Sequence, residues 1–277
     1  MGIGLGGLNP SYAFSICYVI LTCRGSEMFD LTGKCAFVTG ASRGIGRSVA
    51  VSLARAGADV ALVGRDTAAL EETRQAVTGL GRRSLALQAD VTSAASIEAA
   101  VASACKEFGR IDILVCNAGV QKLKPFLDMA PEDWRGLIST NLEGAIMTMQ
   151  SVGRRMVAQK SGTIMVMASI YSFVGAPGNS IYCLTKGGLS QLSKALAVEW
   201  ARYNVRVNAI CPGWIETDLT KPYMQDQKVI DAGLRQIPLR RFGRPDDIGP
   251  LAVYLASDEA SFVTGQAYVI DGGQIAH

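Results

Sequence analysis

The sequence has only one histidine, and this residue, His277, is the last of the 277 residues. This scarcity argues against a Ser-His-Asp triad, a Cys-His dyad and a zinc site with histidine ligands. The acid–base group of an enzyme with this sequence would therefore be Tyr, Lys, Asp, Glu or Cys. The seven cysteines form no C-x-x-C motif and no Cys/His cluster, which predicts reduced thiols, a cytoplasmic location and no metal site.

The chain also lacks a large excess of charge of either sign. Its formal net charge is +3, and the 27 basic residues are interspersed with 24 acidic ones. We therefore expect no nucleic-acid-binding surface. With 49% hydrophobic and 18% charged residues, the composition is typical of a globular protein, and the length suits one large α/β domain or two small ones.

No apolar run reaches the length of a membrane span. The longest candidate, residues 12–23, is too short to cross a bilayer. It is preceded by no Lys or Arg and followed by no A-x-A site, both of which a secretory signal would have. We predict that residues 1–27 are a dispensable extension and that one domain covers 28–277, with a signal or membrane anchor as the alternative and no membrane partner expected.

From residue 34 onward, short apolar runs alternate with segments of helical length. The predicted strands, apolar without alternation as in a sheet covered on both faces, are residues 35–38, 60–63, 85–87, 111–115, 164–167, 205–210 and 267–270. The predicted helices are residues 44–56, 67–79, 93–107, 131–159, 180–202 and 245–257. This order predicts an α/β fold, a single-domain, doubly wound, Rossmann-like parallel sheet with helices on both faces. A less regular excursion near 212–243 interrupts it.

A glycine-rich loop, residues 39–46, follows the first predicted strand and precedes a predicted helix. Glycines let the backbone turn tightly and approach a pyrophosphate, and the helix N-terminus faces the negative charge. Such a loop alone indicates no more than a turn. Between a strand and a helix, it predicts a dinucleotide site.

Tyr182 and Lys186 lie four residues apart at the start of a predicted helix, so they share one face. A tyrosine with a pKa near 10 is a poor acid–base group at neutral pH. A cation about 5 Å away, at an effective dielectric constant near 20, would favour the phenolate by roughly 3 kcal/mol, or about two pKa units. Lys186 can supply that charge, although an isolated Y-x-x-x-K pair is more typical of a protein surface.

Taken together, these motifs resemble the short-chain dehydrogenase/reductase family, and they occur in the family's order. After the Gly-x-x-x-Gly-x-Gly loop come Asp90-Val91, Asn117-Ala118-Gly119, Asn141, Ser169, Tyr182-Cys183-Leu184-Thr185-Lys186, Pro212-Gly213 and Thr217. The resemblance covers about residues 30–273. Within the family, the chain is similar to 3-oxoacyl-carrier-protein reductases and to enzymes of the gluconate 5-dehydrogenase type. It implies an oxidoreductase that transfers hydride between a nicotinamide and a carbonyl or secondary alcohol.

The resemblance implies four catalytic residues. Tyr182 would be the general acid/base, and Lys186 would lower its pKa and bind the nicotinamide ribose. Ser169 would donate a hydrogen bond to the substrate oxygen. Asn141 would hold a water of the proton relay, unless it only satisfies helix backbone.

The resemblance also implies a set of cofactor-binding residues. Thr217 would bond the nicotinamide carboxamide together with the backbone N–H of Ile215, and Asp90 would bond the adenine amino group. Asn117 is expected to brace its strand more than to touch substrate. The full predicted set is Gly40, Ser42, Arg43, Gly44, Ile45, Gly46, Gly64, Arg65, Asp90, Val91, Asn117, Ala118, Gly119, Tyr182, Lys186, Pro212, Gly213, Ile215 and Thr217.

The end of the second predicted strand decides the choice between NADP and NAD. An acidic residue there would bind the ribose hydroxyls of NAD and repel a 2′-phosphate. The chain has Gly64-Arg65 at this position and Arg43 in the glycine-rich loop, and both guanidinium groups can bind a phosphate. We predict NADP(H), with NAD(H) possible if Asp66 takes the ribose instead.

The substrate is poorly encoded. The two candidate classes are a 3-oxoacyl thioester and a keto sugar acid, for which Gln121, Lys122, Lys124 and Asn179 would supply polar and cationic partners. An acyl carrier protein is a possible partner, since Lys160 matches one of the two basic docking positions of carrier-protein reductases. Tyr203, beside Arg202, occupies the other.

Assembly and activity complete the expectations. The predicted helices 131–159 and 180–202 carry apolar residues beyond what one sheet face can cover, including Ile146, Met147, Met149, Leu192 and Leu196. We therefore expect a homotetramer. A family member without catalysis, serving as a binding or regulatory subunit, is the alternative to an enzyme.

Overall fold

Short buried strands form the centre of the molecule, as the unbroken apolar runs predict. The computed structural model describes residues 28–276. The predicted extension at residues 1–27, with its alternative as a signal or anchor, lies outside the described residues, as does His277. Within them the strands are β1 (Cys35–Thr39), β2 (Asp59–Gly64), β3 (Ser84–Gln88), β4 (Ile113–Cys116), β5 (Gly162–Met167), β6 (Val205–Pro212) and β7 (Ala267–Ile270).

These strands form one parallel sheet in the order β3-β2-β1-β4-β5-β6-β7. Helices on both faces connect them: α1 (Gly44–Arg55), α2 (Thr67–Thr78), α3 (Ala94–Phe108), α4 (Pro131–Ile138), α5 (Gly144–Gln159), α6 (Ser180–Trp200), α7 (Gln227–Gln236) and α8 (Gly249–Ala256). The prediction of a doubly wound, Rossmann-like sheet is confirmed.

Two apolar layers cover the sheet because successive strand residues point to opposite faces. Ala36 and Val38 face a layer formed mainly by α1, α2 and α8. Phe37, between them, faces the layer formed by α3, α5 and α6. Met149 lies in this second layer with 1% exposure, and Leu192 and Leu196 pack against it. The expectation that Met149 is surplus to the core was therefore wrong.

The fourth strand starts two residues later than predicted. The carboxylate of Asp112 accepts a hydrogen bond from the backbone N–H of Cys35 (3.0 Å), and the backbone N–H of Asp112 donates to the Cys35 carbonyl (2.9 Å). A side chain thus replaces a strand partner at this end of the sheet. The two-stranded pairing of β1 with β4 begins only at Ala36 and Ile113.

The predicted helix 131–159 is interrupted. Between α4 and α5, residues Ser139–Glu143 form a π-helical turn that contains Asn141. Gly144 follows, where a Cβ atom would lie 2.8 Å from Val91 Cγ2. Single π-helical turns occur often at functional sites, and this one brings the helix close to the end of β3.

The excursion near 212–243 contains a helix that the sequence analysis did not predict, α7. Asp226 caps it by accepting a hydrogen bond from the Lys228 N–H (2.8 Å). Only Gly233 is buried on this helix, although Val229, Ile230 and Leu234 share one face at the spacing of an amphipathic helix. None of the helices in residues 28–276 is long and apolar enough to cross a membrane.

Candidate active site

The carboxyl ends of the strands border one cavity of about 1270 Å³. It runs from Arg65 at the end of β2, past the glycine-rich loop, to Ser169, Tyr182 and Lys186. In parallel sheets, ligands bind at this edge, where the direction of the connections reverses. Of the predicted site residues, Gly46 and Asn141 do not line the cavity, whereas the others do.

The glycine-rich loop is packed so closely that side chains do not fit. Gly40 has a φ of +65°, and a Cβ there would lie 2.9 Å from Asn117 Nδ2. A Cβ at Gly46 would lie 2.2 Å from the Gly40 carbonyl oxygen. Gly44, with a φ of +56°, faces Thr217 across the cavity, where a Cβ would lie 3.4 Å from Thr217 Cγ2. Gly40 and Gly44 leave backbone at the cavity wall, as binding of a pyrophosphate requires, and Gly46 lets the start of α1 pack against the Gly40 carbonyl behind it.

Asn117 braces the glycine-rich loop. Its side-chain amide donates to the carbonyl oxygens of Thr39 (3.0 Å) and Gly40 (3.1 Å). The hydroxyl of Thr39 in turn accepts hydrogen bonds from the backbone N–H groups of Asn117 and Ala118. The turns after β1 and β4 are therefore fixed to each other.

At the end of β2, Gly64 is half-buried whereas Arg65 and Asp66 are exposed. Asp66 Oδ1 accepts a hydrogen bond from the Ala69 N–H (3.1 Å) and caps α2. Its carboxylate is thus already engaged by the helix N-terminus. Arg43 lies 3.8 Å from Asp218 and keeps a side chain that is 61% exposed.

Asp90 follows β3 and is held by Thr92. Its Oδ1 accepts from the Thr92 N–H (2.9 Å) and hydroxyl (2.8 Å). These hydrogen bonds, with a further contribution from the charge of Arg65, lower the pKa of Asp90. Asp90 therefore stands ionised at the mouth of the cavity near Arg65.

Ser169, Tyr182 and Lys186 meet where β5 ends and α6 begins. The hydroxyl of Ser169 accepts a hydrogen bond from the Tyr171 N–H (3.2 Å) and acts to lower the pKa of Tyr182. Lys186 Nζ donates to the Met167 carbonyl (2.7 Å) and lies 5.5 Å from the centre of the Tyr182 ring. The structure thus brings Tyr182 and Lys186 of the Y-x-x-x-K motif together with Ser169.

Burial dominates the acid–base balance of this group. It raises the pKa of Tyr182 above its ordinary value, with Tyr171 adding to the shift and the Ser169 hydrogen bond opposing it. Burial also lowers the pKa of Lys186 to about 8. Removal of the phenolate from water is the largest cause of the Tyr182 shift, and the lowering of the Tyr182 pKa by Lys186 stays a prediction.

Asn141 lies behind the cavity with 0% exposure. Its Oδ1 accepts from the Val120 N–H and its Nδ2 donates to the Val120 carbonyl, both at 2.8 Å. Nδ2 also donates to Thr185 Oγ1 (3.3 Å). The side chain therefore forms hydrogen bonds with the backbone of Val120, and not with the backbone of its own helix. It fixes that loop to α6.

Beyond Tyr182, two loops form the far end of the cavity. Gln121 Nε2 donates to Asn179 Oδ1 (2.7 Å), and the Lys124 N–H donates to the Gly178 carbonyl (3.0 Å). Tyr171 packs edge-on against Tyr182, with 6.1 Å between the ring centres. We call this region the amide end, defined by Gln121, Tyr171, Val174–Pro177, Asn179, Trp214 and Gln274.

Lys122 and Lys124 do not line the cavity, contrary to expectation. Both ammonium groups bind Asp133, which is buried at the start of α4, and Lys124 does so at 2.7 Å. These hydrogen bonds hold the pKa of Asp133 well below its usual range. One carboxylate thus occupies both cations that a sugar acid would have needed.

Some residues of the cavity wall were not predicted from the sequence. Gln274 belongs to the segment after β7, which turns back over the cavity through Gly272 and Gly273, both with positive φ. Trp214 stacks on Phe242 with 5.5 Å between the ring centres. Only the Gly272-Gly273 pair signalled a tight turn in the sequence.

In residues 28–276, no group of three or more His, Cys, Asp or Glu side chains is arranged to hold a metal ion. The five described cysteines are free thiols. Cys35, Cys116 and Cys211 are buried, and burial raises the pKa of each.

This sheet order, with a glycine-rich loop after the first strand and a Ser-Tyr-Lys group on the same edge, is the architecture of a Rossmann-type oxidoreductase. A family model described as enoyl-(acyl carrier protein) reductase matches residues 40–274. The chain belongs to the short-chain dehydrogenase/reductase family.

Individual relatives span almost the whole domain. The oxidoreductase UcpA of Salmonella typhimurium is 42% identical over 89% of this chain and 96% of its own length. The 3-oxoacyl-[acyl-carrier-protein] reductase FabG of Staphylococcus epidermidis is 40% identical over 87% and 98%. A gluconate 5-dehydrogenase from Burkholderia cenocepacia, solved in complex with NADP and tartrate, is 34% identical with a TM-score of 0.87 and covers 90% of this chain and 98% of its own.

Proposed function

We propose that the protein is an NADP(H)-dependent oxidoreductase that interconverts a carbonyl compound and a secondary alcohol, with Tyr182 as general acid/base. One observation carries the proposal: a single cavity joins the glycine-rich loop and Arg65 to Ser169, Tyr182 and Lys186. A dinucleotide that binds with its adenosine near Arg65 would place its nicotinamide ring beside Tyr182. Names of relatives as different as FabG and gluconate 5-dehydrogenase support the reaction class and leave the substrate open.

The residues present fit a dinucleotide phosphate. Gly40 and Gly44 have positive φ values and no side chain, so a pyrophosphate can approach the backbone of the loop at the cavity wall. Arg43 and Arg65 would bind the 2′-phosphate, because both are exposed at the cavity and Asp66 is engaged in capping α2. Thr217 and the backbone of Ile215 would hold the nicotinamide end. The NADP found in the relative from Burkholderia cenocepacia agrees with this choice.

When bound, the cofactor supplies or accepts a hydride at C4 of its nicotinamide ring. In reduction, Tyr182 donates its proton to the substrate oxygen while the Ser169 hydroxyl stabilises the charge that develops there. Lys186 orients the nicotinamide ribose and carries the positive charge nearest to Tyr182. In the reverse direction, the Tyr182 phenolate accepts the proton of the alcohol. Asn141 acts by positioning Val120 and α6.

The remaining predictions belong to the same proposal. The substrate is a 3-oxoacyl thioester or a keto sugar acid, the protein is a cytoplasmic homotetramer, and an acyl carrier protein is a partner if the thioester is correct. Arg202 stacks on the Tyr203 ring at 4.7 Å, so this half of the docking surface presents a guanidinium group next to an aromatic ring.

Replacement of a single hydroxyl tests the proposal. Tyr182→Phe should retain the fold and NADPH binding and lower kcat for reduction of a generic diketone by roughly 100- to 10,000-fold. Tyr268→Phe, which removes a hydroxyl from β7 outside the cavity wall, is the matched control and should not change kcat. Retention of more than about a tenth of the wild-type kcat by Tyr182→Phe would contradict the mechanism. A protein that binds NADPH and reduces no carbonyl would instead be a binding or regulatory subunit.

A further inference from the structure

The two ends of the cavity differ in charge. The charged residues of its wall are Arg43, Arg65, Asp66, Asp90, Lys186 and Asp218. Five of them lie at the end with the glycine-rich loop. Arg43 belongs to that loop and has Asp218 beside it, and the other three follow β2 or β3. Among these charged wall residues, only Lys186 lies beside Tyr182. Among the described residues, the amide end defined above contributes no charged side chain to the wall.

Lys186 is not available to a substrate anion. Its ammonium group donates to the Met167 carbonyl, and the residue is only 5% exposed. The nearby Lys122 and Lys124 both bind Asp133 and lie outside the cavity wall. A carboxylate bound at the amide end would therefore lose its water without gaining a cation, which is costly.

The amide end offers hydrogen bonds of a neutral kind. Asn179 is 5% exposed and directly precedes α6, yet its side chain does not cap that helix. Its Oδ1 accepts from Gln121 instead, which leaves the Gln121 carbonyl oxygen and one amide N–H for another partner. Gln274 Oε1, also at the wall, is buried and has no hydrogen-bond partner among the described residues. Such buried amides select partners that complete their hydrogen bonds.

We infer that the substrate is an uncharged carbonyl compound with a second hydrogen-bonding group, such as an ester, thioester or hydroxyl, that binds the Gln121–Asn179 pair. This inference rests on the proposed function and narrows it. It favours the 3-oxoacyl thioester, whose reacting end is neutral, and disfavours a keto sugar acid. Gln121 and Asn179 are then specificity-determining residues, whereas Lys122 and Lys124 maintain the loop through Asp133.

A matched ester and acid provide the test. Methyl 4-oxopentanoate and 4-oxopentanoate share a ketone that lies two methylene groups from the charge, so its intrinsic reactivity is nearly the same in both. With NADPH, we expect kcat/KM to be at least about tenfold higher for the ester, because the acid would bury an unpaired charge. Equal values, or a preference for the acid, would overturn the inference. If the enzyme reduces a diketone but neither compound, competitive inhibition of that reaction gives the same ratio.

Two variants of one residue separate charge from hydrogen bonding. Gln121→Lys should lower the ester-to-acid ratio by about tenfold, because it adds a cation where the wall has none. Gln121→Met, of similar length and neutral, should raise KM for the ester and leave the ratio in favour of the ester. Lys122→Gln, which removes a cation outside the wall, is the control and should not alter the ratio. An unchanged ratio in Gln121→Lys would contradict the placement of the substrate at this pair.

Failure of the inference and failure of the proposed function are distinguishable. An enzyme that reduces 4-oxopentanoate with NADPH as well as its ester retains the proposed function and refutes the uncharged substrate. A protein that oxidises NADPH with none of the ketones, and in which Tyr182→Phe changes nothing, refutes the proposed function itself.

Discussion

We expect the cofactor preference to depend on whether residue 64 carries a negative charge. Gly64 ends β2 at the cavity wall, and a Cβ added there would lie 3.5 Å from the Leu70 side chain, an ordinary contact. Its φ lies outside the left-handed region, so a larger residue is not strained. Gly64→Asp should therefore fold normally and place a carboxylate where the 2′-phosphate of NADP would approach Arg65.

The magnitude follows from the exposure of this position. Gly64 is half-buried and Arg65 exposed, so the repulsion lies between about 1 kcal/mol for hydrated charges 4 Å apart and about 4 kcal/mol for the same pair near a protein surface. Partial screening by salt makes about 1–3 kcal/mol a reasonable range, equivalent to roughly 5- to 150-fold in the ratio of kcat/KM for NADPH to that for NADH.

The assay compares kcat/KM for both cofactors in wild type, Gly64→Asp and Gly64→Asn. The asparagine variant has the same size without the charge, so it separates electrostatics from steric effects. The aspartate variant should shift the preference toward NADH, and the shift should shrink at high salt. A wild-type preference for NADH, or an equal shift in both variants, would refute the argument from Arg43 and Arg65.

Three further predictions concern proton affinity, packing and assembly. Since burial lowers the pKa of Lys186 to about 8, its positive charge is present below that pH and lost above it. The kcat/KM for NADPH should therefore fall as the pH rises through about 8, and Lys186→Met should remove this step. Gly46→Ala, whose Cβ would lie 2.2 Å from the Gly40 carbonyl, should lower the free energy of unfolding by about 1–3 kcal/mol. Gly136→Ala, in open space on α4, should raise it by about 0.5–1 kcal/mol; thermal unfolding of both variants tests this pair. Light scattering at micromolar concentration should give about four times the 29.3 kDa chain mass, and a monomer would end the tetramer proposal.

The fold was predictable from the sequence because the five inner strands, β1, β2, β4, β5 and β6, are largely buried on both faces. Runs such as residues 60–63 contain no polar residue, so their period does not compete with a helical pattern. The ends of the elements were harder to predict. The start of β4 depends on the Asp112 carboxylate, which bonds a residue that is far away in the sequence. The π-helical turn at Ser139–Glu143 depends on tertiary contacts of Asn141.

Within the site, the residues at strand ends were predictable, since the order of the motifs already placed them on one edge. The pKa shifts of Tyr182 and Lys186 could not be predicted from the sequence. The spacing of Tyr182 and Lys186 indicated their proximity but carried no information on how deeply both are buried. The partner of Lys122 and Lys124 was equally hidden, because Asp133 belongs to a helix that begins several residues later.

The Asn141 side chain behaves like one additional rung of a sheet, because it pairs with both the N–H and the carbonyl of Val120. Its hydrogen bond to Thr185 also connects α6, which carries Tyr182 and Lys186, to the segment that follows β4. Gln121 and Asn179 lie just outside that anchored frame, on loops joined to each other. On the proposed function, substitutions in these two loops should therefore alter the substrate preference without moving Ser169, Tyr182 or Lys186.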